Sequence, residues 1–418
     1  MTASELPRLL TGVPAAGRLD LHQHLASHGP FPAGITRGAA LIEAISAAGL
    51  RGRGGAAFPT GRKLAAVAER GRRRELVVNA AEGEPLSEKD AALLELAPHL
   101  VLDGALLAAE AIGARQSVIA VKRSATAAAE STRAALAERR DAGSIRLALV
   151  PEGYVASEES ALLRHLGGGP AKPTSGPRPF ERGLNRRPTL VANAETLAHV
   201  ALIARHGSSW FRGLGTAEHP GSALITLTGA VERPGVREIA LGTPIARVMG
   251  HAGGQNPGGV LIGGYGGSWL TAEAAASGSL DDASLARRGA RLGAGVVFAL
   301  PREACPAAEV TRVVRWMADR TAGQCGPCVH GLDAIADALA SVLAGTARPD
   351  VFDRLERWSG QVERRGACHH PDGVVRFLRS ALIVFATEFK DHRRHGPCDA
   401  CGRPAVLVTP SEAIVAAA

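Results

Sequence analysis

Helix-type and strand-type segments alternate through the first half of the chain, and this alternation restricts the fold more than any other feature. AALIEAISAAGL has apolar residues at helical spacing, and ELVVNAAEGEP is an apolar run entering a loop. PLSEKDAALLELAPHLVLDGALLAAEAIGA returns to helix, then SVIAVKR, SATAAAESTRAALAERR and RLALVPE read as strand, helix and strand. Strands joined through helices run parallel, so the alternation predicts an α/β domain with a parallel sheet over residues 39–215, preceded by an N-terminal extension, 1–38. GGGPAKPTSGPRPFERGLNRRP is a Pro/Gly-rich loop of unusual length, a form that ordered domains reserve for binding elements. The pattern then changes. SALITLTGAVERPGVREIALGTPIARVMGHAGG and GGVLIGGYGGSWL give short strands, an RPG turn and one short helix, a small α+β module over 216–300. Amphipathic stretches predict a helical bundle over 301–395, and a Pro/Gly-containing tail follows over 396–418.

Composition removes several classes of function. With 46% hydrophobic and 21% charged residues the chain is globular, and with 4% aromatics its core must rest on Ala, Leu and Val. The net charge of +8 raises nucleic acid as a ligand, but the Arg residues are scattered and form no basic arm or aromatic-studded strand. A general positive field suits an anionic cofactor or an acidic protein partner. The N-terminus lacks an apolar core behind a basic start, and no uncharged run approaches the roughly 18 residues that span a bilayer. The expected location is cytosolic, with membrane association only through a partner.

Four elements carry candidate chemistry. GLRGRGGAAFPTGRKL contains Gly52, Arg53, Gly54 and Gly55, then Phe58 and Lys63. Successive glycines let backbone amides approach an anion, Phe58 offers a flat face to a planar ring, and Lys63 adds a point charge. Of the 48 basic residues only five are Lys, so an ammonium placed here is a choice against the prevailing Arg. VVNAAEGEP sets Asn79, Glu82 and Glu84 just past a strand, where open α/β sheets bind ligands. GYVASEESALL sets Tyr154, Glu158 and Glu159 at another strand-to-helix junction, and LVANAETL adds Asn193, Glu195 and Thr196. Taken singly, each has a plain reading as a surface turn or a solvated acidic loop.

In this order the four elements resemble the NADH-binding flavoprotein subunit of respiratory complex I and the related flavin subunits of NAD-dependent hydrogenases and formate dehydrogenases, from about Ala39 to His392. The resemblance implies FMN phosphate on the glycine loop and Lys63, with Asn79 and Asn193 holding the flavin. Phe58, Glu84 and Glu159 would lie where NADH docks, and the middle module would be a soluble-ligand-binding β-grasp domain. The sequence departs from the family pattern at several points. Ala81 stands where the family has Asp, Ser157 where it has Gly, Ala66 where a second aromatic is expected, and Ala192 where it has the first of two Asn.

All six Cys lie at or after Cys305, which favours metal or cluster ligation over a disulfide framework. Cys325 and Cys328 form Cys-x-x-Cys, and Cys368 follows after helical sequence, an arrangement that a bundle can bring to one iron–sulfur cluster. The family resemblance implies a 4Fe-4S cubane there, but Ala322 occupies the place of its first ligand, which leaves a 3Fe-4S cluster or a fourth donor from elsewhere. Cys398 and Cys401 form a second Cys-x-x-Cys near His392 and His395, open to three readings: fourth cluster ligand, small zinc site or reactive dithiol. Cys305 matches a family position that is not a ligand and is set aside. The function implied is an NADH dehydrogenase passing electrons through FMN and a cluster to a protein acceptor, a ferredoxin-like or 2Fe-2S protein. The competing reading is a non-catalytic relative keeping the fold and a metal or cluster site.

Overall fold

The computed structural model describes residues 5–32, 38–71, 73–254 and 256–410. Four parallel strands form the first sheet: β1 Arg74–Ala80, β2 Ala114–Lys122, β3 Ile145–Val150 and β4 Thr189–Asn193, in the order β3-β2-β1-β4. The order reverses between β1 and β4, so the carboxyl ends of these two strands flank a switch point, the usual ligand position in open α/β sheets. Val77, Val78 and Ile119 are fully buried, as expected for strands covered on both faces. The helix Pro98–Ile112 packs beside the helix Ala194–Arg212, and Gly104 makes this possible: a Cβ there would stand 1.8 Å from the carbonyl oxygen of Leu197.

The N-terminal extension belongs to this core. Leu9 and Leu19 are fully buried in it, and His24 of the helix Leu21–His28 meets Asp103 at 2.8 Å. Arg139 and Arg205 pair with the same buried carboxylate. Burial opposes its ionisation, but His24 and the two guanidinium groups win and hold Asp103 well below the usual carboxylate range.

The middle module is a mixed sheet of β5 Ser222–Gly229, β6 Gly235–Ala240, β7 Gly259–Ile262, β8 Ser268–Leu270 and β9 Val296–Leu300, ordered β6-β5-β9-β7-β8. A hairpin, a helix (Ile245–His251) and a last strand returning parallel beside the first make up the β-grasp arrangement. The third part is helical: Pro306–Asp319, Asp333–Leu343, Val351–Val362, His370–Val384 and Ala386–His395 enclose a core that includes Val310, Leu339 and Phe377. Among the described residues no single helix is long and apolar enough to cross a membrane. Lys89–Leu96 and Pro98–Ile112 pass that test only as a pair bent by 99°, and the second is buried along most of its length.

Candidate functional site

The glycine loop runs from Gly49 to Phe58 and is closed at its base by Gly52 N–H donating to the Phe58 carbonyl at 2.9 Å. Arg53 pins it to its surroundings. Its amide donates to Thr196 Oγ1 at 2.8 Å, and its guanidinium donates to the Ser222 carbonyl at 2.9 Å. Gly54 lies against Asn193, with 3.4 Å from its ideal Cβ position to the Asn193 Cβ. Among the described residues the amides of Gly54, Gly55, Ala56 and Ala57 donate to no protein acceptor. Four free amides in one loop, with Gly55 and Ala57 at positive φ, are donors available to an anion such as a phosphate.

Lys63 lies one turn into the helix Thr60–Ala68 and pairs with Glu159 at 2.9 Å, both about one-third exposed. Phe58 is 48% exposed, and the Arg62 guanidinium lies 5.6 Å from its ring centre. Asn79 lies at the end of β1. Its amide donates to the Ser157 carbonyl at 2.9 Å and its oxygen accepts from Ala81 N–H at 3.1 Å. This contact draws the loops after β1 and β3 together, and Gly83 allows it, because a Cβ there would stand 2.3 Å from Ser157 Oγ.

Several of the candidate polar residues already have structural partners. Glu82 accepts from Asp90 N–H at 3.1 Å and Ala91 N–H at 3.2 Å, at the start of the helix Lys89–Leu96. Glu158 is the N-cap of the helix Glu159–Leu166, accepting from Ser160 and Ala161 amides at 3.0 Å. Asn193 caps the helix Ala194–Arg212 and donates to Asp90 at 2.5 Å. Each is polar and stands at the first turn of a helix, where free amides need acceptors. Glu84 is buried at 8% exposure and accepts from Tyr265 N–H at 2.9 Å, Leu86 N–H at 3.3 Å and the Tyr154 hydroxyl. Burial lifts its carboxyl to about 7 against those hydrogen bonds.

Lys89 is a site residue that the sequence motifs do not single out. Its ammonium is buried, 2.8 Å from Asp90 and 2.9 Å from Glu195, and lies 3.4 Å from Asn193 Oδ1. Burial alone would lower its pKa, but Asp90, Glu195 and Glu82 raise it above its ordinary value. Burial likewise opposes ionisation of Glu195, yet Lys89, His199 and Arg53 bring it down to about 2. Lysine scarcity was the available signal: Lys63 meets Glu159 after β3, Lys89 meets Asn193 at the end of β4, and the Lys122 ammonium lies 3.4 Å from the Glu82 carbonyl after β1. A cavity of about 250 Å³ opens between the glycine loop and the second sheet, lined by Arg51, Arg53, Lys89, Glu195, His219 and Asp282 among others.

In the helical part Cys325 and Cys328 flank the start of a π-helical turn, Pro327–Leu332, and Cys368 precedes the helix His370–Val384. Burial pushes the Cys328 thiol up to about 12, with the charges of Cys325 and Cys368 adding to the effect, and the Cys368 thiol is raised by burial as well. As thiolates these groups would repel one another, and a cationic cluster that deprotonates its ligands outright would balance their charge. Cys398 and Cys401 stand elsewhere. The tail does turn back at Gly396, but it brings this pair against Cys305 and His392, and the Cys305 set aside on sequence is one of the group.

Comparison with known proteins follows the same division. Residues 45–202 match the Nuo51 FMN-binding domain, and residues 308–392 match the NADH-ubiquinone oxidoreductase-F iron-sulfur binding region. The chain is 32% identical to an F-type subunit of NADH-quinone oxidoreductase from Rhizobium meliloti (strain 1021), covering 86% of this chain and 90% of that one. It is 29% identical to the NADP-reducing hydrogenase subunit HndC of Solidesulfovibrio fructosivorans, covering 87% and 78%. Among solved structures, NAD+-reducing NiFe hydrogenase in its air-oxidized state superposes with a TM-score of 0.83 at 29% identity, covering 96% of this chain and 68% of that one. A parallel sheet with a free-amide glycine loop, a β-grasp module and a helical cysteine part, together with these matches, place the chain in the family of F-type NADH-quinone oxidoreductase subunits, with its FMN-binding domain and its iron–sulfur binding region.

Proposed function

We propose that FMN binds across the carboxyl ends of β1 and β4, NADH on the Phe58 side, and an iron–sulfur cluster at Cys325, Cys328 and Cys368. The family's activity is NADH-oxidising electron transfer, and FMN supplies the exchange between a hydride and single electrons. The amides of Gly54 to Ala57, with Lys63, would hold the FMN phosphate. Asn79 and Asn193, fixed by Ser157 and Asp90, would orient the polar edge of the ring. Phe58 and Glu159 would receive the nucleotide. Glu84 is hydrogen-bonded to the Tyr154 hydroxyl, and its carboxyl keeps a proton up to about pH 7.

One observation carries the reading: the loop Tyr154–Glu159 touches both halves of the molecule. On one side Glu159 meets Lys63 and Ser157 meets Asn79. On the other the Tyr154 ring lies 5.3 Å from His370 and 5.8 Å from Trp316, and Glu158 acts electrostatically on Cys368. A flavin on the strand ends would therefore be one loop away from the cluster cysteines.

The relatives are subunits of larger enzymes, so this chain works with protein partners. In our reading the acceptor is a ferredoxin-like or 2Fe-2S protein, the setting is cytoplasmic, and any membrane association is indirect. Glu159 at the nucleotide favours NADH in this reading, because a carboxylate accepts ribose hydroxyls and repels a 2′-phosphate. Protein loaded with FMN should oxidise NADH with ferricyanide and prefer it to NADPH. Failure to take up FMN at micromolar concentration overturns the reading, and equal turnover with NADPH removes the role given to Glu159.

A further inference from the structure

Four donors from two separate stretches of chain converge at the end of the last long helix. Cys305 is the N-cap of the helix Pro306–Asp319, His392 lies in the last turn of the helix Ala386–His395, and Cys398 and Cys401 belong to the short turn that follows. Their ligand atoms all lie within 4.8 Å of one another. The Sγ atoms of Cys401 and Cys398 are 3.7 Å apart and those of Cys401 and Cys305 3.6 Å. His392 Nε2 is 3.4 Å from Cys305 Sγ and 3.3 Å from Cys401 Sγ.

These separations are those of a tetrahedron around one ion. With Zn–S near 2.3 Å and Zn–N near 2.0 Å, tetrahedral angles give S···S edges of about 3.8 Å and S···N edges of about 3.5 Å. A multi-iron cluster holds its cysteines apart by its own width, so this compact set is sized for a single ion. The surroundings also orient the donors. His392 Nδ1 donates to the Glu388 carbonyl at 2.7 Å, which leaves Nε2 free to coordinate. The Ala308 amide donates to Cys305 Sγ at 3.4 Å at a helix N-terminus, where a thiolate is favoured. Arg403 donates to the Glu303 carbonyl at 2.9 Å and so ties the Cys398–Cys401 turn to the chain before Cys305. His392 and Cys305 are buried.

We propose that Cys305, His392, Cys398 and Cys401 form a closed Cys₃His structural zinc site, separate from the iron–sulfur site. Cys305, Cys398 and Cys401 lie outside the segment 308–392 that matches the iron–sulfur binding region, and His392 is its last residue. Four protein donors leave no position for substrate, so the role is to fasten. What it fastens is the stretch after Gly402, which runs back along the helix Pro306–Asp319. Leu407 N–H donates to Glu309 at 2.8 Å, Trp316 Nε1 donates to the Pro410 carbonyl at 2.9 Å, and the Tyr265 hydroxyl donates to the Val408 carbonyl at 2.5 Å. Tyr265 and Trp316 in turn pack against each other and, through Trp316, against Tyr154. The zinc site thus clamps a strap over the ring cluster that joins the two halves.

Metal analysis of the full chain purified anaerobically tests this. We expect one zinc per chain, and zinc-edge X-ray absorption showing three sulfur neighbours and one nitrogen. Cys398→Ser, at the exposed corner of the site, should lower retained zinc at least tenfold after dialysis against a chelator, and leave iron content and its paramagnetic signal unchanged. Absence of zinc in the unsubstituted chain overturns the proposal, as does a Cys398–Cys401 disulfide in the unreduced protein. Loss of iron together with zinc in Cys398→Ser also overturns it and places the tail in the cluster. The absorption measurement needs no variant, so a misfolded substitution leaves the proposal open to refutation, and iron and flavin content report separately on the proposed electron-transfer function.

Discussion

At the strand ends of the α/β half, Glu82, Glu158 and Asn193 already cap helices and Lys63 already meets Glu159. In the helical half Cys325 and Cys368 act electrostatically on Cys328, and Cys305, Cys398 and Cys401 gather in another place. The difference lies in what holds each region before a cofactor arrives. The first is prearranged by its own hydrogen bonds, so losing a residue there weakens affinity by a finite factor. The second gathers groups that repel one another as thiolates, so its donors depend on a cation, and losing a donor removes the cation altogether.

The largest expected effect is therefore in the helical half. Cys328→Ser should abolish bound iron and leave FMN content unchanged, measured on anaerobically reconstituted protein. Iron retained at the unsubstituted level would break the contrast, because Cys328 would then be an ordinary buried thiol. Next comes the most buried part of the α/β site. Lys89→Met leaves Glu195 and Asp90 buried without their ammonium partner, and should destabilise folding by about 3–5 kcal/mol in urea unfolding. A cost below about 1 kcal/mol would mean that the surroundings relax around the acids, contrary to a prearranged site.

The pH dependence of Glu84 sharpens the same point. Its carboxyl ordinarily releases its proton near 4.5 but in the folded chain keeps it to about 7. Between these values the folded state binds more protons than the unfolded one, so stability is fullest below about 4.5 and falls as pH rises toward 7. The fall should be on the order of 3 kcal/mol across that window, and Glu84→Gln should flatten it. An unchanged slope in the variant would assign the dependence to other groups. The smallest effect is expected at the surface of the flavin site. Lys63→Ala should weaken FMN binding by about 1.5–3 kcal/mol, the worth of a hydrogen bond to a charged group, read by fluorescence titration. A negligible change would leave the free amides of Gly54 to Ala57 as the phosphate's main anchor.

What the sequence determined by itself was local. The helix–strand alternation predicts the parallel sheet, the Gly52–Gly55 run predicts the loop at its edge, and the RPG turn predicts the β5–β6 hairpin, because each is encoded in residues that are near neighbours along the chain. The scarcity of lysine that marks Lys63 marks Lys89 as well, but it marks Lys172 and Lys390 equally, so it did not single Lys89 out. The tertiary structure alone decided which polar groups are consumed by the fold. Glu82 and Glu158 look like free acids in a loop, and only the packed chain shows them satisfying helix amides. Lys89 meets Asn193 across 104 residues, and Cys305 meets His392 across 87. Such pairings depend on strand order and on where the last helix ends, and no spacing or periodicity records either. Cys305 was set aside because it matches a family position that is not a ligand; its partners come within reach only when the tail turns at Gly396, so that two distant stretches of chain assemble one donor set.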